Sequence, residues 1–538
     1  MQKLHMLQGK NMQKFKVVVC DHIHKAGLDL LEKDNTIEMI NAADVDKTAL
    51  LDVLADADVA ITRSSTDVDD KFLGAVKSLK AVVRAGVGVD NVDIDGCSKQ
   101  GIIVMNVPTA NTIAAVELTM THMLSCMRSF PYAHDNLKQD RIWRRQDWYG
   151  YELKGKKLGI IGFGNIGSRV GLRALAFEMD VIAYDPYIPS NKATDLGVSY
   201  TKNFEDILTC DVITIHTPKN SETINMIGKD EIAKMKDGVV LINCARGGLY
   251  NEDALYDGLK SEKVRFAGID VFAKEPATDH PLLELNNICV TPHLGANTKE
   301  SQYNIAVQAA ENAIEAAKGI SYANALNLPI IESELPEFVK PYLELVQKMG
   351  NFAAQVNKGA IISIKLEGEG EIAEHLKSLS TFATVGALSY TIGENVNYVN
   401  AEFIAEERGI KIGYEKVSNL GAYKNKISVR ITTQNEVLSV CGTVFEQGVQ
   451  RIVNINGFSL DIAPHGRMIL FRNSDVPGVI GHVGQTLANH NINIADFRLG
   501  RYKNEALAVI IVDEDVDIKA LTELSKLNAA LSVSYARL

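Results

Sequence analysis

The run Gly162-Phe163-Gly164-Asn165-Ile166-Gly167 is well suited to ligand chemistry, because it follows the apolar stretch Leu158–Ile161 and opens a helix-like segment. The first glycine makes a tight turn, the second lets backbone approach a pyrophosphate, and the third lets helix and strand pack closely. The free N–H groups and dipole at the helix start then favour phosphate charge. Asp185 follows Gly167 by 18 positions, at the end of the next strand-like run. Its carboxylate suits both ribose hydroxyls and repels a 2′-phosphate, which predicts NAD rather than NADP. Three more polar residues stand just past apolar runs: Arg246 in Asn243-Cys244-Ala245-Arg246-Gly247-Gly248, Glu275 in Val271-Phe272-Ala273-Lys274-Glu275-Pro276, and His293 in Thr291-Pro292-His293-Leu294-Gly295-Ala296. Taken singly they are ordinary surface or structural groups. Ligands of open α/β sheets bind outside the carboxyl ends of the strands, and there the three are expected to converge.

Elements able to position these residues are legible along the chain. From Lys14 to Asn106, the runs Lys16–Cys20, Asp58–Thr62, Ala81–Arg84 and Ile102–Asn106 read as parallel strands alternating with helices. Thr112–Phe130 reads as one long helix linking two lobes, followed by an exposed polar, aromatic and basic patch, His134–Tyr151. A second series, Lys157–Gly162, Asp180–Tyr184, Val212–His216, Val239–Asn243, Phe266–Asp270 and Ile288–Thr291, gives six strands of a doubly wound sheet. Residues 297–319 read as a helix that returns to the first lobe, and Leu328–Pro336 as a linker. A helix near Val339–Val356 and strands Ala360–Glu367, Lys426–Thr433 and Leu438–Phe445 follow, without a catalytic constellation. The last segment orders as strand, helix, strand, strand, helix, strand, a ferredoxin-like βαββαβ module.

Composition narrows the class of protein. The chain has 538 residues, room for three or four domains at about 150 residues each. A formal charge of -11 excludes a strong general attraction to nucleic acid or anionic membrane, so an anionic substrate must meet a local basic cluster. Apolar runs such as Ala506–Val512 fall far short of the roughly 18 residues of a membrane span. The seven cysteines are scattered and never take Cys/His ligand spacing, which predicts reduced thiols, no metal and a cytoplasmic location. No apolar signal-peptide segment precedes Met12, and the first eleven residues read either as a disordered extension or as a start placed too early.

The motifs around Gly162–Gly167, Asp185, Arg246, Asp270-Val271-Phe272, Glu275-Pro276 and His293–Ala296 together resemble the NAD-dependent D-2-hydroxyacid dehydrogenases across residues 14–325. Similarity is greatest to the long branch of that family, which acts on 3-phosphoglycerate and adds an intervening domain and a carboxy-terminal ACT domain. The resemblance implies two doubly wound, Rossmann-like α/β domains, then an α+β intervening domain and a ferredoxin-like ACT domain. It divides the chain into a substrate-binding domain (12–111 and 297–327), an NAD-binding domain (112–296), an intervening domain (328–465) and the ACT domain (466–538). It implies oxidation of 3-phospho-D-glycerate to 3-phosphooxypyruvate, the entry to serine synthesis. His293 is then the general base, Glu275 its partner and Arg246 the clamp on the substrate carboxylate. Gly162, Gly164, Asn165, Ile166, Gly167, Asp185, Thr217, Cys244, Ala245, Asp270, Leu294, Gly295, Ala296 and Val87 line the cofactor with His293.

Gly86 and Val87 resemble the family's substrate loop, although many relatives carry Thr where Val87 stands, so Val87 contributes only backbone and apolar contact. Arg63, Ser64 and Asn111 resemble phosphate-side contacts, and Arg144 or Arg145 of a neighbouring subunit is a further candidate. In the ACT segment, Asn473, Asp475 and Asn493 stand where serine-sensitive relatives bind their effector, with Asn473 replacing a His. Homodimers or homotetramers are expected. Two other readings stay open: a reductase for glyoxylate, hydroxypyruvate or D-lactate, and a non-catalytic NAD-sensing protein of the kind found among transcriptional co-repressors.

Overall fold

The computed structural model describes residues 14–328, 335–393, 396–418 and 423–538. The amino-terminal extension and most of the expected linker Leu328–Pro336 lie outside the described residues. Two compact units emerge, one comprising the chain up to Thr66 with Val83–Asp90 and Asn106–Asn324, the other Asp67–Val82, Asn91–Met105 and Ala325–Leu538.

In the first unit, strand Phe15–Val19 pairs in parallel with both Ile37–Asn41 and Val59–Thr62. Ile37–Asn41 is additional to the strands expected from the apolar pattern. It lies at the sheet edge and is only partly buried, so its residues Glu38 and Asn41 interrupt that pattern. A second sheet has seven parallel strands: Lys157–Ile161, Asp180–Tyr184, Ser199–Thr201, Val212–Ile215, Val239–Asn243, Val264–Ile269 and Ile288–Val290. Numbered along the chain, they lie in the order 7-6-5-4-1-2-3. One strand more than expected is present, the short edge strand Ser199–Thr201, again half-exposed. The central strands Val212–Ile215 and Val239–Asn243 are buried throughout, as expected when helices cover both faces. The order reverses between Lys157–Ile161 and Val212–Ile215, which opens a crevice at their carboxyl ends.

The long connecting helix differs from expectation. It runs over Thr112–Arg128, stops at Ser129 with φ 50°, and restarts as Phe130–Lys138. Pro131 has no N–H to give Met127 O, which accepts instead from Tyr151 N at 2.9 Å, so the first helix cannot continue its ladder through this point. The second helix occupies part of the patch His134–Tyr151 and buries none of its own residues.

In the second unit, a six-stranded sheet is antiparallel except where Ile361–Glu369 pairs in parallel with Lys411–Lys416, and helices Lys340–Val356 and Leu376–Ile392 share its core. The last module is a four-stranded antiparallel sheet with helices Val479–Asn489 and Ile518–Ser525. Its strand Arg467–Ser474 is apolar on both faces for a reason. Ile469 and Phe471 pack with the module's own helices, while Met468 and Leu470 join the core of the preceding sheet. Among the described residues, no helix is long and apolar enough to cross a membrane.

Candidate active site

Asp270, directly after strand Val264–Ile269, is the fixed point around which the site is built. Its N–H donates to Asn243 O at 3.0 Å, which ties it to the neighbouring strand. Its carboxylate is fully buried and accepts from Leu294 N at 2.7 Å, Gly295 N at 2.9 Å and the Thr291 hydroxyl at 2.5 Å. The Asp270 carbonyl accepts from His293 N at 2.9 Å. Burial pushes this carboxyl up, and the Thr291 and backbone donors oppose the shift. Held in this way, His293 adopts φ 54°, a left-handed backbone uncommon for a non-glycine residue.

His293 Nδ1 lies 2.8 Å from Glu275 Oε2, while Glu275 Oε1 accepts from Phe272 N at 3.0 Å. Nδ1 is thereby engaged, which leaves Nε2 as the nitrogen for proton exchange with a ligand. The bond to Glu275 raises the His293 pKa against the opposing effect of burial. Burial disfavours the Glu275 carboxylate, yet His293 and the Phe272 N–H outweigh it and hold the group below its ordinary range. Arg246 is within electrostatic reach of both. Its Nε donates to Asp90 Oδ2 at 3.1 Å and its Nη1 to Ala245 O at 2.7 Å, and Asn243 braces the turn by bonding Arg246 O at 2.8 Å. The structure therefore brings the three expected residues into one constellation.

Arg63, Ser64 and the loop of Gly86 and Val87 lie at the ends of adjoining segments, since Ala85 N donates to Thr62 O at 2.8 Å. Asn106 fixes the loop through its amide bond to Val87 O at 2.8 Å. Arg63 Nη1 donates to His22 O at 3.0 Å, and Ser64 is exposed. Asn111 begins the helix Thr112–Arg128 without capping it, and its buried Oδ1 has no partner. Arg144 and Arg145 stay on the exposed patch, with Arg144 4.0 Å from Asp147.

Gly162 has φ 86°, and a Cβ on Gly167 would strike Gly162 O, so the turn requires glycine at both positions. Open space surrounds the Gly164 Cβ position, and helix Asn165–Ala176 starts there with no side chain capping its N–H groups. Asp185 stands at the end of Asp180–Tyr184, accepting from Phe163 N at 2.9 Å and Tyr187 N at 3.0 Å. Thr217 abuts Gly162, and its buried hydroxyl has no partner. An open glycine turn, uncapped helix N–H groups, a carboxylate at the next strand end and an orphaned hydroxyl fit a dinucleotide. Cys244 is buried and its thiol pushed far up by desolvation, which removes it as a nucleophile.

Sequence reasoning missed two residues near the site. His122, buried and brought down to about 4 by desolvation, lies 2.8 Å from the Thr291 hydroxyl. Because Thr291 donates to Asp270, neutral His122 supplies the proton of that contact. Arg84 is within electrostatic reach of Arg63 and Arg246; its one sequence signal was its place just before the glycine loop.

In the ACT module, Asn473 and Asp475 line a cavity of about 350 Å³ with Pro477, Gly478, Phe497 and Arg501. Asp475 pairs with Arg501 at 3.1 Å, and the buried Asn473 amide bonds Phe471 O and Ala506 O. Asn493 is not among the lining residues: it is exposed and its amide bonds Asp513 at 2.7 Å.

Residues 120–295 match the family model for the NAD binding domain of D-isomer specific 2-hydroxyacid dehydrogenases, residues 338–456 the D-3-phosphoglycerate dehydrogenase intervening domain, and residues 467–529 the ACT domain. A D-3-phosphoglycerate dehydrogenase of Bacillus subtilis is 39% identical over 96% of this chain and 99% of its own length. One of Archaeoglobus fulgidus is 37% identical over 97% of this chain and 100% of its own. Among solved structures, D-lactate dehydrogenase from Aquifex aeolicus, complexed with NAD and lactic acid, aligns with a TM-score of 0.51 and 28% identity, covering 58% of this chain and 98% of that one. Fold and site thus define an NAD-dependent dehydrogenase of the D-isomer specific 2-hydroxyacid class. Within that class, the chain belongs to the D-3-phosphoglycerate dehydrogenase family.

Two substitutions test how the site is held. Asp185→Ser is expected to narrow the affinity gap between NADH and NADPH in fluorescence titrations, and an unchanged ratio would remove Asp185 from the ribose site. Asp270→Asn leaves buried N–H groups poorly matched and is expected to cost about 1–3 kcal/mol in denaturant unfolding, with turnover falling as the His293 turn loosens.

Proposed function

We infer that this protein is an NAD-dependent D-3-phosphoglycerate dehydrogenase, oxidising 3-phospho-D-glycerate to 3-phosphooxypyruvate in the first step of serine synthesis. The observation that carries the reading is the His293–Glu275 pair with Arg246 in electrostatic reach, on a chain that aligns over 96% of its length with a D-3-phosphoglycerate dehydrogenase. Bound NAD supplies the two-electron acceptor that takes the C2 hydrogen as hydride. His293 Nε2 takes the C2 hydroxyl proton, and Glu275 favours the resulting imidazolium. In the reverse direction the same ring returns the proton. Arg246 holds the substrate carboxylate and polarises the C2 oxygen, a role suited to a fork of donors.

Gly162, Gly164, Asn165, Ile166, Gly167, Asp185, Thr217, Cys244, Ala245, Asp270 and His293–Ala296 are the residues assigned to NAD, with Val87 at the loop. Arg63, Ser64, Gly86 and Asn111 are assigned to the substrate. We assign 12–111 with 297–327 to substrate binding, 112–296 to NAD, 328–465 to the intervening domain and 466–538 to the ACT domain. The ACT cavity, with its Asp475–Arg501 pair, suits a small amino acid, and serine as end product is the effector proposed for it. A homodimer or homotetramer in the cytoplasm completes the reading.

The direct test is NADH formation from NAD with 3-phospho-D-glycerate, beside D-lactate, glycolate and D-glycerate, with and without L-serine. A rate mainly on the phosphorylated acid is expected, whereas a rate mainly on D-lactate or glycolate would overturn the substrate assignment. His293→Ala is expected to lower kcat by at least about 100-fold while NADH binding is retained. Silence of the native protein on all acids in both directions would favour a non-catalytic NAD-sensing role.

A further inference from the structure

A second imidazole lies beside the start of the turn that carries His293. His122 belongs to helix Thr112–Arg128 and is only 1% exposed. It packs on strand Val264–Ile269 at a glycine: a Cβ on Gly268 would lie 2.9 Å from His122 Cβ and 3.1 Å from Cys126 Sγ. The helix can bring His122 this close only because residue 268 has no side chain. The ring makes one hydrogen bond. Its Nε2 lies 2.8 Å from the Thr291 hydroxyl, and its Nδ1 is buried with no partner among the described residues. A buried unsatisfied nitrogen costs stability that a leucine in the same space would not. Burial also keeps the ring neutral. What this histidine offers beyond a hydrocarbon is therefore a single donor.

That donor has a defined target. Asp270 Oδ1 accepts from the Thr291 hydroxyl at 2.5 Å and from Leu294 N at 2.7 Å, while Oδ2 accepts from Gly295 N at 2.9 Å. An ionised carboxylate only accepts, so the one hydroxyl proton of Thr291 points to Asp270 and the hydroxyl oxygen takes the Nε2–H of His122. The opposite tautomer would draw that proton to His122 and leave the carboxylate one donor short. Bonds in such a chain polarise one another, each strengthening the next. We propose that His122 is a positioning residue of the dehydrogenase: through Thr291 and Asp270 it holds the turn that aims His293. The proposal rests on His293 as the proton carrier of the function inferred above, and it adds the connecting helix to the elements that set its geometry.

The test uses the full chain and two readouts. Hydrogen exchange needs no substrate and reports the turn. In His122→Leu the amides of Leu294 and Gly295 are expected to exchange faster than in the native protein, while those of helix Thr112–Arg128 keep their rates. Turnover of 3-phospho-D-glycerate with NAD reports the chemistry. There kcat is expected to fall about 3- to 10-fold, with KM within about twofold and the thermal midpoint kept. His122→Gln restores an N–H donor and should recover most of both losses. Thr291→Val removes the relay, so adding His122→Leu to it should cost nothing more. Native exchange and native kcat in His122→Leu would overturn the proposal. So would losses that add in the double variant, a glutamine variant no better than leucine, or a lowered midpoint with faster exchange throughout the helix, which would make His122 part of the framework. If the native protein turns over none of the 2-hydroxy acids, the functional reading fails, and the exchange comparison still decides whether His122 holds the turn.

Discussion

A buried carboxylate with no room to move holds this site together. Asp270 takes three donors from the turn Thr291–Gly295 while its own backbone is tied to Asn243 and His293. Such a group is costly to bury unless its lone pairs are filled, and here they are filled by the segment that carries the imidazole. The same bonds hold His293 at a positive φ that its side chain would otherwise resist. Strand order then matters for chemistry: Val239–Asn243 and Val264–Ile269 are adjacent, so the turns carrying Arg246 and Glu275 emerge side by side.

Electrostatics divides the site in two. At one end a carboxylate and an imidazole pair, each favouring the other's charged form, which suits a proton moving on and off the ring. At the other, Arg84 feels the like charges of Arg63 and Arg246, with Asp21 and Asp90 opposing them. Arg246 belongs to both, since it influences His293 and Glu275 on one side and Arg84 on the other. A ligand with an oxidisable carbon near one end and spare negative charge at the other matches that division. The overall acidity of the chain makes the local concentration of cations more pointed.

Strands buried on both faces were legible because their Val, Ile and Leu runs are nearly continuous, with Thr214 and the terminal Asn243 the polar residues in Val212–Ile215 and Val239–Asn243. Edge strands Ile37–Asn41 and Ser199–Thr201 were not, because they are short and only partly buried, and Glu38, Asn41, Ser199 and Thr201 break their apolar runs. The glycine turn with Asp185 is a local feature and could be read from spacing. The grouping of Arg246, Glu275 and His293 depended on knowing where strands end. Arg84 needed the tertiary structure: only the pairing of Ala85 with Thr62 and the fit of its guanidinium over Gly86 set it apart from any arginine at a strand end. The expected helix Thr112–Phe130 ends within two residues of its observed end, whereas the following helix Phe130–Lys138 buries none of its residues and left no apolar pattern to read.

The central claim is that Glu275 tunes His293 as the proton carrier. It is tested most directly by following the His293 imidazole resonances against pH in the native protein and in Glu275→Gln. Because the bond to Glu275 favours the charged ring, the native His293 should titrate above the ordinary histidine value of about 6.5, and the variant should titrate lower. The neutral base would then persist to lower pH, and the acid limb of the oxidation rate would move down with it. A native His293 that titrates at or below the ordinary value, or one indifferent to the loss of the Glu275 charge, would contradict the claim.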